Sequence, residues 1–192
     1  MKIRIHHAAL TLTVALATTP ALAGDKPAFE LALDIDQDGT MDRAVVMQDD
    51  GAPADLYIYL GTEKPDPSRK PDFVRKALTE DRILDLEAKG KGSLAITSCF
   101  GCGAIKSTED TLIIVHRRGQ FLVGGYRRYW DWNIHKSDGT VETTVGDCDI
   151  NYLTGKGKAS KDLEDGKPVK GSFKPVPLKD WSYEKRPEAC DF

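Results

Sequence analysis

The most distinctive chemistry in this chain belongs to a short acidic loop in its N-terminal quarter. The loop reads Asp34-Ile35-Asp36-Gln37-Asp38-Gly39-Thr40-Met41-Asp42, with carboxylates at its first, third, fifth and ninth positions. Calcium binds six to eight oxygens at about 2.3–2.6 Å, and a tightly wound loop delivers alternate side chains to one such centre. Gly39 permits the sharp turn that this winding needs. The spacing therefore predicts a calcium site, because the carboxylates would repel one another without a cation.

The same loop departs from an EF-hand at its twelfth position, where Val45 replaces the bidentate glutamate. It resembles instead the Asp-x-Asp-x-Asp-Gly-x-x-Asp hairpin of FG-GAP and VCBS-type repeats, in which a strand and then a Tyr-Leu-Gly ending follow, as in Tyr59-Leu60-Gly61. The resemblance spans only about residues 29–61. It implies calcium carried by the side chains of Asp34, Asp36, Asp38 and Asp42 and the backbone carbonyl of Thr40. The alternative is a solvated acidic turn that binds no ion.

The first 23 residues have the features of a secretory signal peptide. Lys2 and Arg4 give a positive start, residues 8–17 form an apolar run, and Ala21-Leu22-Ala23 supplies a cleavage pattern of small residues. The run is too short to cross a bilayer, and the alternative interpretation is a buried N-terminal helix. We therefore expect a periplasmic or secreted protein of residues 24–192 with no membrane span. A formal net charge of −3 leaves no basic excess for nucleic acid.

The predicted export indicates that the four cysteines form two disulfides, because an even number of cysteines in an oxidising compartment favours disulfide bonds. Three pairings of Cys99, Cys102, Cys148 and Cys190 are possible, and the sequence does not choose among them. We favour Cys99–Cys102 with Cys148–Cys190, since the second bridge would tie down a C-terminus that otherwise frays. Cys99 and Cys102 also have the spacing of a thiol–disulfide oxidoreductase, but the residues after Cys102 lack the helical periodicity of that motif.

A second candidate for binding is the segment from Tyr126 to Asn133, which is rich in aromatic and arginine side chains. In an extended chain four of its residues face one way: Tyr126, Arg128, Trp130 and Trp132. Such a platform could stack on a sugar ring or anchor a protein partner. The alternative is that the tryptophans fill the core beneath the sheet.

No established catalytic motif is present. The chain has neither a Gly-x-Ser-x-Gly elbow nor a His-Glu-x-x-His zinc pair, and only His116 and His135 follow the predicted signal peptide. We therefore expect an exported, non-catalytic binding or interaction module stabilised by calcium and disulfides. The alternative is an exported enzyme, either a hydrolase with an unrecognised site or an oxidoreductase that uses Cys99 and Cys102.

The elements that must position these residues are mainly strands. The pattern predicts a mainly β (α+β) fold, a single antiparallel sheet or sandwich-like domain with one or two short helices. Predicted strands cover residues 29–34, 43–47, 55–60, 92–97, 111–116, 120–126, 129–133 and 141–153. Pro71 at a first helical position and Gly90 beyond the end predict a helix, or two shorter ones, over about 71–89. The lysine- and glycine-rich segment 154–171 is predicted to be a solvated loop.

Overall fold

The computed structural model describes residues 27–162 and 164–191. Within them the chain forms antiparallel strands and three single 3-10 turns, so the predicted mainly β fold is confirmed. The predicted signal peptide, residues 1–23, lies outside the described residues. The strands are β1 Phe29–Leu33, β2 Asp42–Met47, β3 Ala54–Tyr59, β4 Phe73–Thr79, β5 Arg82–Ala88, β6 Ser93–Phe100, β7 Lys106–Arg117, β8 Gln120–His135, β9 Val141–Asn151, β10 Lys156–Lys161, β11 Lys167–Pro168 and β12 Val176–Pro177. The 3-10 turns are Leu178–Asp180, Tyr183–Lys185 and Glu188–Cys190.

The strands form two sheets that share one core. The smaller sheet has the order β1-β2-β3-β4, and the larger runs β11-β10-β9-β8-β7-β6-β5, with β12 added beside the start of β8. In β2 and β3 every second residue is buried, which is the period of a strand with one face against a core. That face carries Ala44 and Leu56, which join Leu112 and Ile150 of the larger sheet in one hydrophobic cluster. The hairpin that carries the predicted calcium loop therefore belongs to a β sandwich.

The predicted helix over about residues 71–89 is wrong, because this segment forms β4 and β5. β4 pairs with β3 in the small sheet and β5 pairs with β6 in the large sheet. The chain passes from one sheet to the other at Glu80 and Asp81, where the helical pattern was weakest. Long-range pairing supplies hydrogen-bond partners that local propensity cannot anticipate, so tertiary context overrides the local preference here.

The predicted solvated loop at 154–171 is also wrong in part, because it contains β10 and β11. β10 pairs with β9 from Lys156 opposite Asn151 to Lys161 opposite Gly146. Its alternating lysines project from an exposed strand near the sheet edge, a position where charged side chains discourage pairing with other chains. Their charge gave the segment its loop-like composition.

No helix in residues 27–162 or 164–191 combines the length and the apolar character needed to cross a membrane.

Candidate metal centre

The predicted calcium loop connects β1 to β2 and is wound by hydrogen bonds from its own backbone to its own carboxylates. The Asp38 N–H donates to Asp36 Oδ1 at 3.1 Å, the Gly39 N–H to Asp34 Oδ2 at 3.1 Å, and the Thr40 N–H to Asp38 Oδ1 at 2.7 Å. Gly39 has φ +93°, the left-handed region that glycine adopts without strain. The loop therefore curls around its own carboxylates, as the spacing predicted.

Three of the carboxylates converge. Asp34, Asp36 and Asp42 each offer an oxygen, and these oxygens lie within 4.8 Å of one another. A calcium ion about 2.4 Å from each of two ligands bridges oxygens up to about 4.8 Å apart, so the spacing suits one ion. The Oδ1 atom of Asp34 is buried and has no hydrogen-bond partner among the described protein residues. A buried carboxylate oxygen is costly to leave unpaired, and a cation would supply the missing partner.

Asp42 is the fully buried member of this cluster, with no exposed surface. Its Oδ2 accepts the Ile35 N–H at 2.8 Å and its Oδ1 accepts the Gly61 N–H at 2.7 Å. Burial raises the pKa of its carboxyl and the charge of Asp36 raises it further, while the two backbone N–H donors act against that rise. Asp42 thus holds the loop to the end of β3 as well as facing the other carboxylates.

The two remaining predicted ligands, the Asp38 side chain and the Thr40 carbonyl, are not among the three converging carboxylates. The side chain of Asp38 is not part of the converging group, and its Oδ1 accepts the Thr40 N–H. A ligand role for Asp38 would require its carboxylate to move from this geometry. The role of the Thr40 carbonyl remains a prediction. The structure therefore brings together three of the four predicted carboxylates.

The loop also touches the opposite sheet. Ile35 is fully buried in the shared core, and the Gln37 amide donates to the Lys91 carbonyl at 3.4 Å, in the turn between β5 and β6. A Cβ added at Gly92 would lie 2.4 Å from Gln37 Nε2, so that turn approaches the loop closely. An ion in the loop would stiffen a point where the two sheets meet.

The predicted aromatic platform needs correction. The segment is extended as predicted, and Arg127 and Tyr129, which lie between the platform residues in sequence, are exposed on the opposite face of the strand. However, Tyr126 and Trp130 are each only 1% exposed, so neither can stack on a ligand. Arg128 is engaged in an ion pair with the buried Asp110, and Trp132 is partly exposed with the Lys106 ammonium 5.2 Å above its ring. The core-packing alternative holds for Tyr126 and Trp130.

The sequence did not reveal Asp110, the hub of a buried polar network. Asp110 is 3% exposed and accepts the Tyr126 hydroxyl at 2.6 Å and two Arg128 guanidinium bonds at 2.8 Å. Burial and the Asp110 charge raise the pKa of the Tyr126 phenol, so it remains a donor. Arg128 also lies 3.6 Å from the Asp191 carboxylate, which links the network to the C-terminal segment. The alternation of side chains in an extended strand predicted that Tyr126 and Arg128 share one face, but the sequence contained no local pattern that predicted Asp110 as their partner.

The cysteines pair as Cys99–Cys102 and Cys148–Cys190, with sequence separations of 3 and 42. In the chain-entropy model the short loop contributes about 2 kcal/mol and the long loop about 4 kcal/mol. Cys148 and Cys190 are fully buried, and their bridge fixes the last 3-10 turn against β9. The long bridge therefore stabilises the fold more than the short bridge, which closes a surface turn.

No protein-family model matches the chain, and no curated protein and no solved structure matches it. The resemblance of the loop to FG-GAP and VCBS repeats therefore remains a prediction from the residues between about 29 and 61.

Proposed function

We propose that this protein is an exported binding module whose N-terminal hairpin is stabilised by one calcium ion. The predicted signal peptide and two disulfides support export, since disulfides persist in oxidising compartments. Asp34, Asp36 and Asp42 are the calcium ligands in this proposal. The ion neutralises carboxylates that face one another at the edge of the core.

One observation carries the calcium proposal: the buried, unpartnered Asp34 Oδ1 within a group of three converging carboxylates. Acidic turns on protein surfaces normally leave their oxygens in water, where repulsion is screened. Here the Asp42 carboxylate is fully buried and Asp34 has a buried oxygen, so water does not screen the repulsion between them. Oxygen ligands of this kind suit a hard divalent cation.

The role of the ion is structural in this proposal. A ligand that binds only the folded chain stabilises it by mass action. With an affinity of roughly 10⁻⁴–10⁻³ M, ~5 mM calcium would add about 1–2 kcal/mol to the free energy of unfolding. The loop is a favourable place for such an effect because Gln37 and Ile35 connect it to the second sheet and the core.

The placement of the histidines gives no support to a hydrolytic site that uses both of them. His116 is near one end of the long β7–β8 pair, opposite Phe121, whereas His135 is the last residue of β8. The strand rises about 3.3 Å per residue, so the two rings lie roughly 40–50 Å apart. They cannot serve one site. The partner in this proposal is a protein or glycan, and Trp132 is the aromatic residue among the predicted contacts that remains partly exposed.

The test is a pair of melting curves, one with ~5 mM calcium chloride and one with a chelator. We expect calcium to raise the melting temperature of the wild type by a few degrees and to leave Asp36→Asn unchanged. Asparagine keeps an oxygen for the Asp38 N–H but removes the charge. Asp138→Asn is the matched control, because Asp138-Gly139-Thr140 repeats the sequence Asp38-Gly39-Thr40 of the loop. The Thr140 N–H donates to Asp138 Oδ1 at 2.9 Å, but Asp138 does not belong to the group of converging carboxylates. Equal melting temperatures with and without calcium would refute the proposal.

A further inference from the structure

The Cys99–Cys102 disulfide differs from the other bridge in its accessibility. Cys99 is the second-last residue of β6 and is 3% exposed, whereas Cys102 stands exposed in the turn before β7. Cys148 and Cys190 are both fully buried. A thiolate arriving from solvent can therefore approach Cys102, while the other three sulfurs are shielded by the fold.

The fold depends less on this bridge than on the long one. It closes a loop of sequence separation 3, which removes less entropy from the unfolded chain than a loop of 42 does. The turn is shaped by its own backbone: Gly101 and Gly103 have positive φ, and the Ala104 N–H donates to the Gly101 carbonyl at 2.8 Å. Opening the bridge would leave the pairing of β6 with β7 intact, since that ladder extends from Ser93 to Phe100.

Exposed apolar side chains lie at the same end of the large sheet as the turn that carries Cys102. Phe100 lies between the two cysteines in sequence and is 65% exposed, and Ile134 is 44% exposed. Pairing across β6, β7 and β8 places Phe100, Trp132 and Ile134 on one face of the large sheet, and we call these three residues the apolar ledge. An apolar surface at the same end of the sheet as an attackable sulfur suits an extended polypeptide, which offers both side chains to pack and thiols to react.

We propose that the Cys99–Cys102 disulfide exchanges with the thiols of a polypeptide that binds on the apolar ledge. The partner's first thiolate attacks Cys102 Sγ, forming a mixed disulfide and breaking the Cys99–Cys102 bond. The bonding electron pair leaves on Cys99 Sγ, which takes up a proton and lies 3.8 Å from the Ser107 hydroxyl. The partner's second thiol then attacks the mixed disulfide, so the partner ends oxidised and this chain ends with two thiols.

This proposal does not depend on calcium, because the reacting turn and the calcium loop are separate. The loop lies between β1 and β2, and the disulfide lies between β6 and β7. Failure of calcium binding would leave the exchange standing, and failure of the exchange would leave the calcium site standing. Repeating the exchange measurement in a chelator keeps the two results apart.

The experiment follows thiol release in the oxidised protein by alkylation and mass spectrometry. The probes are reduced glutathione and a synthetic peptide that carries two cysteines flanked by leucines. We expect Cys99 and Cys102 to become alkylated at least tenfold faster than Cys148 and Cys190 with either probe. In Cys99→Ser, Cys102 should form a stable mixed disulfide with the oxidised peptide, whereas Cys99 in Cys102→Ser should react at least tenfold more slowly.

The ledge is tested by Phe100→Ser, an exposed change that leaves the core untouched. We expect this variant to react at least fivefold more slowly with the leucine-flanked peptide and at the wild-type rate with glutathione. Val74→Ser, at a 40% exposed apolar residue of the other sheet, is the matched control and should change neither rate. Equal alkylation rates for all four cysteines, or a Phe100→Ser variant with wild-type peptide reactivity, would overturn the proposal.

Discussion

The ring of Trp130 occupies the space above Gly146, its direct cross-strand partner in the β8–β9 ladder. A Cβ added at position 146 would lie 1.6 Å from Trp130 Cζ2, and Trp130 is only 1% exposed. A large side chain on one strand thus requires the absence of a side chain on the next. Trp130 of the predicted binding platform therefore packs in the interior, in space that a side chain at position 146 would otherwise occupy.

The first prediction follows from that contact. Gly146→Ala should lower the free energy of unfolding by about 2–3 kcal/mol, because the buried ring has to move off its position. Chemical denaturation with tryptophan fluorescence measures this change. Gly166→Ala is the control, since its added Cβ meets only the Lys158 side chain at 3.4 Å, and it should remain within about 0.5 kcal/mol of the wild type. Equal effects in the two variants would contradict the packing described.

The buried network around Asp110 gives the second prediction. Asp110→Ala should destabilise the protein by about 3–5 kcal/mol, because it leaves the Arg128 guanidinium buried without its carboxylate. Tyr126→Phe removes only one hydrogen bond and should cost about 1–2 kcal/mol. Urea unfolding of both variants checks the order. Asp147→Ala is the comparison, because it breaks the exposed Arg127 pair and should cost less than about 1 kcal/mol. A smaller loss for Asp110→Ala than for Asp147→Ala would be inconsistent with the buried pair.

The third prediction concerns Asp81, which lies where the chain crosses between the sheets. Burial raises the pKa of its carboxyl and the charge of Asp110 raises it further, while Arg128 acts in the opposite direction. The folded state therefore holds this proton more tightly than the unfolded state does. Its contribution to stability is complete below the ordinary pKa of about 3.9 and is lost as the pH rises through the folded value.

Asp81→Asn should consequently be more stable than the wild type at pH 7 and similar to it below about pH 4. Its backbone hydrogen bonds to Thr79 and Gln48 do not involve the carboxylate and are kept. Thermal melts across pH 3.5–7.5 measure the difference between the two proteins. A variant that is less stable than the wild type at pH 7 would show that the carboxylate makes a favourable contact.

The parts of this molecule that sequence reasoning predicted are local ones. The convergence of Asp34, Asp36 and Asp42 could be inferred because these carboxylates, the glycine and the turn all lie between Asp34 and Asp42. The strands β1, β2 and β3 and the β7–β8 hairpin were predicted for the same reason, since alternation and a turn at Arg118-Gly119 are visible in short windows. Each of these features depends on contacts within a few residues.

The features that escaped prediction depend on register and tertiary pairing. β4 and β5 looked helical because their partners, β3 and β6, are set by the arrangement of two sheets. Asp110 meets Arg128 because β7 and β8 pair in one particular register. Asp38 fits the metal motif by spacing, yet its carboxylate lies outside the converging group. Spacing in sequence gave the candidates, and backbone geometry decided which of them converge.

The calcium site is the central claim, and titration calorimetry of the purified protein with calcium chloride tests it most directly. We predict one ion per chain with a dissociation constant of roughly 10⁻⁴–10⁻³ M. Affinity should fall at least tenfold in Asp34→Asn, whose buried oxygen lacks a partner, and less in Asp38→Asn, whose capping oxygen is retained. Asp138→Asn should bind as the wild type does. The absence of binding heat up to ~5 mM calcium, or equal affinity in the wild type and Asp34→Asn, would contradict the claim.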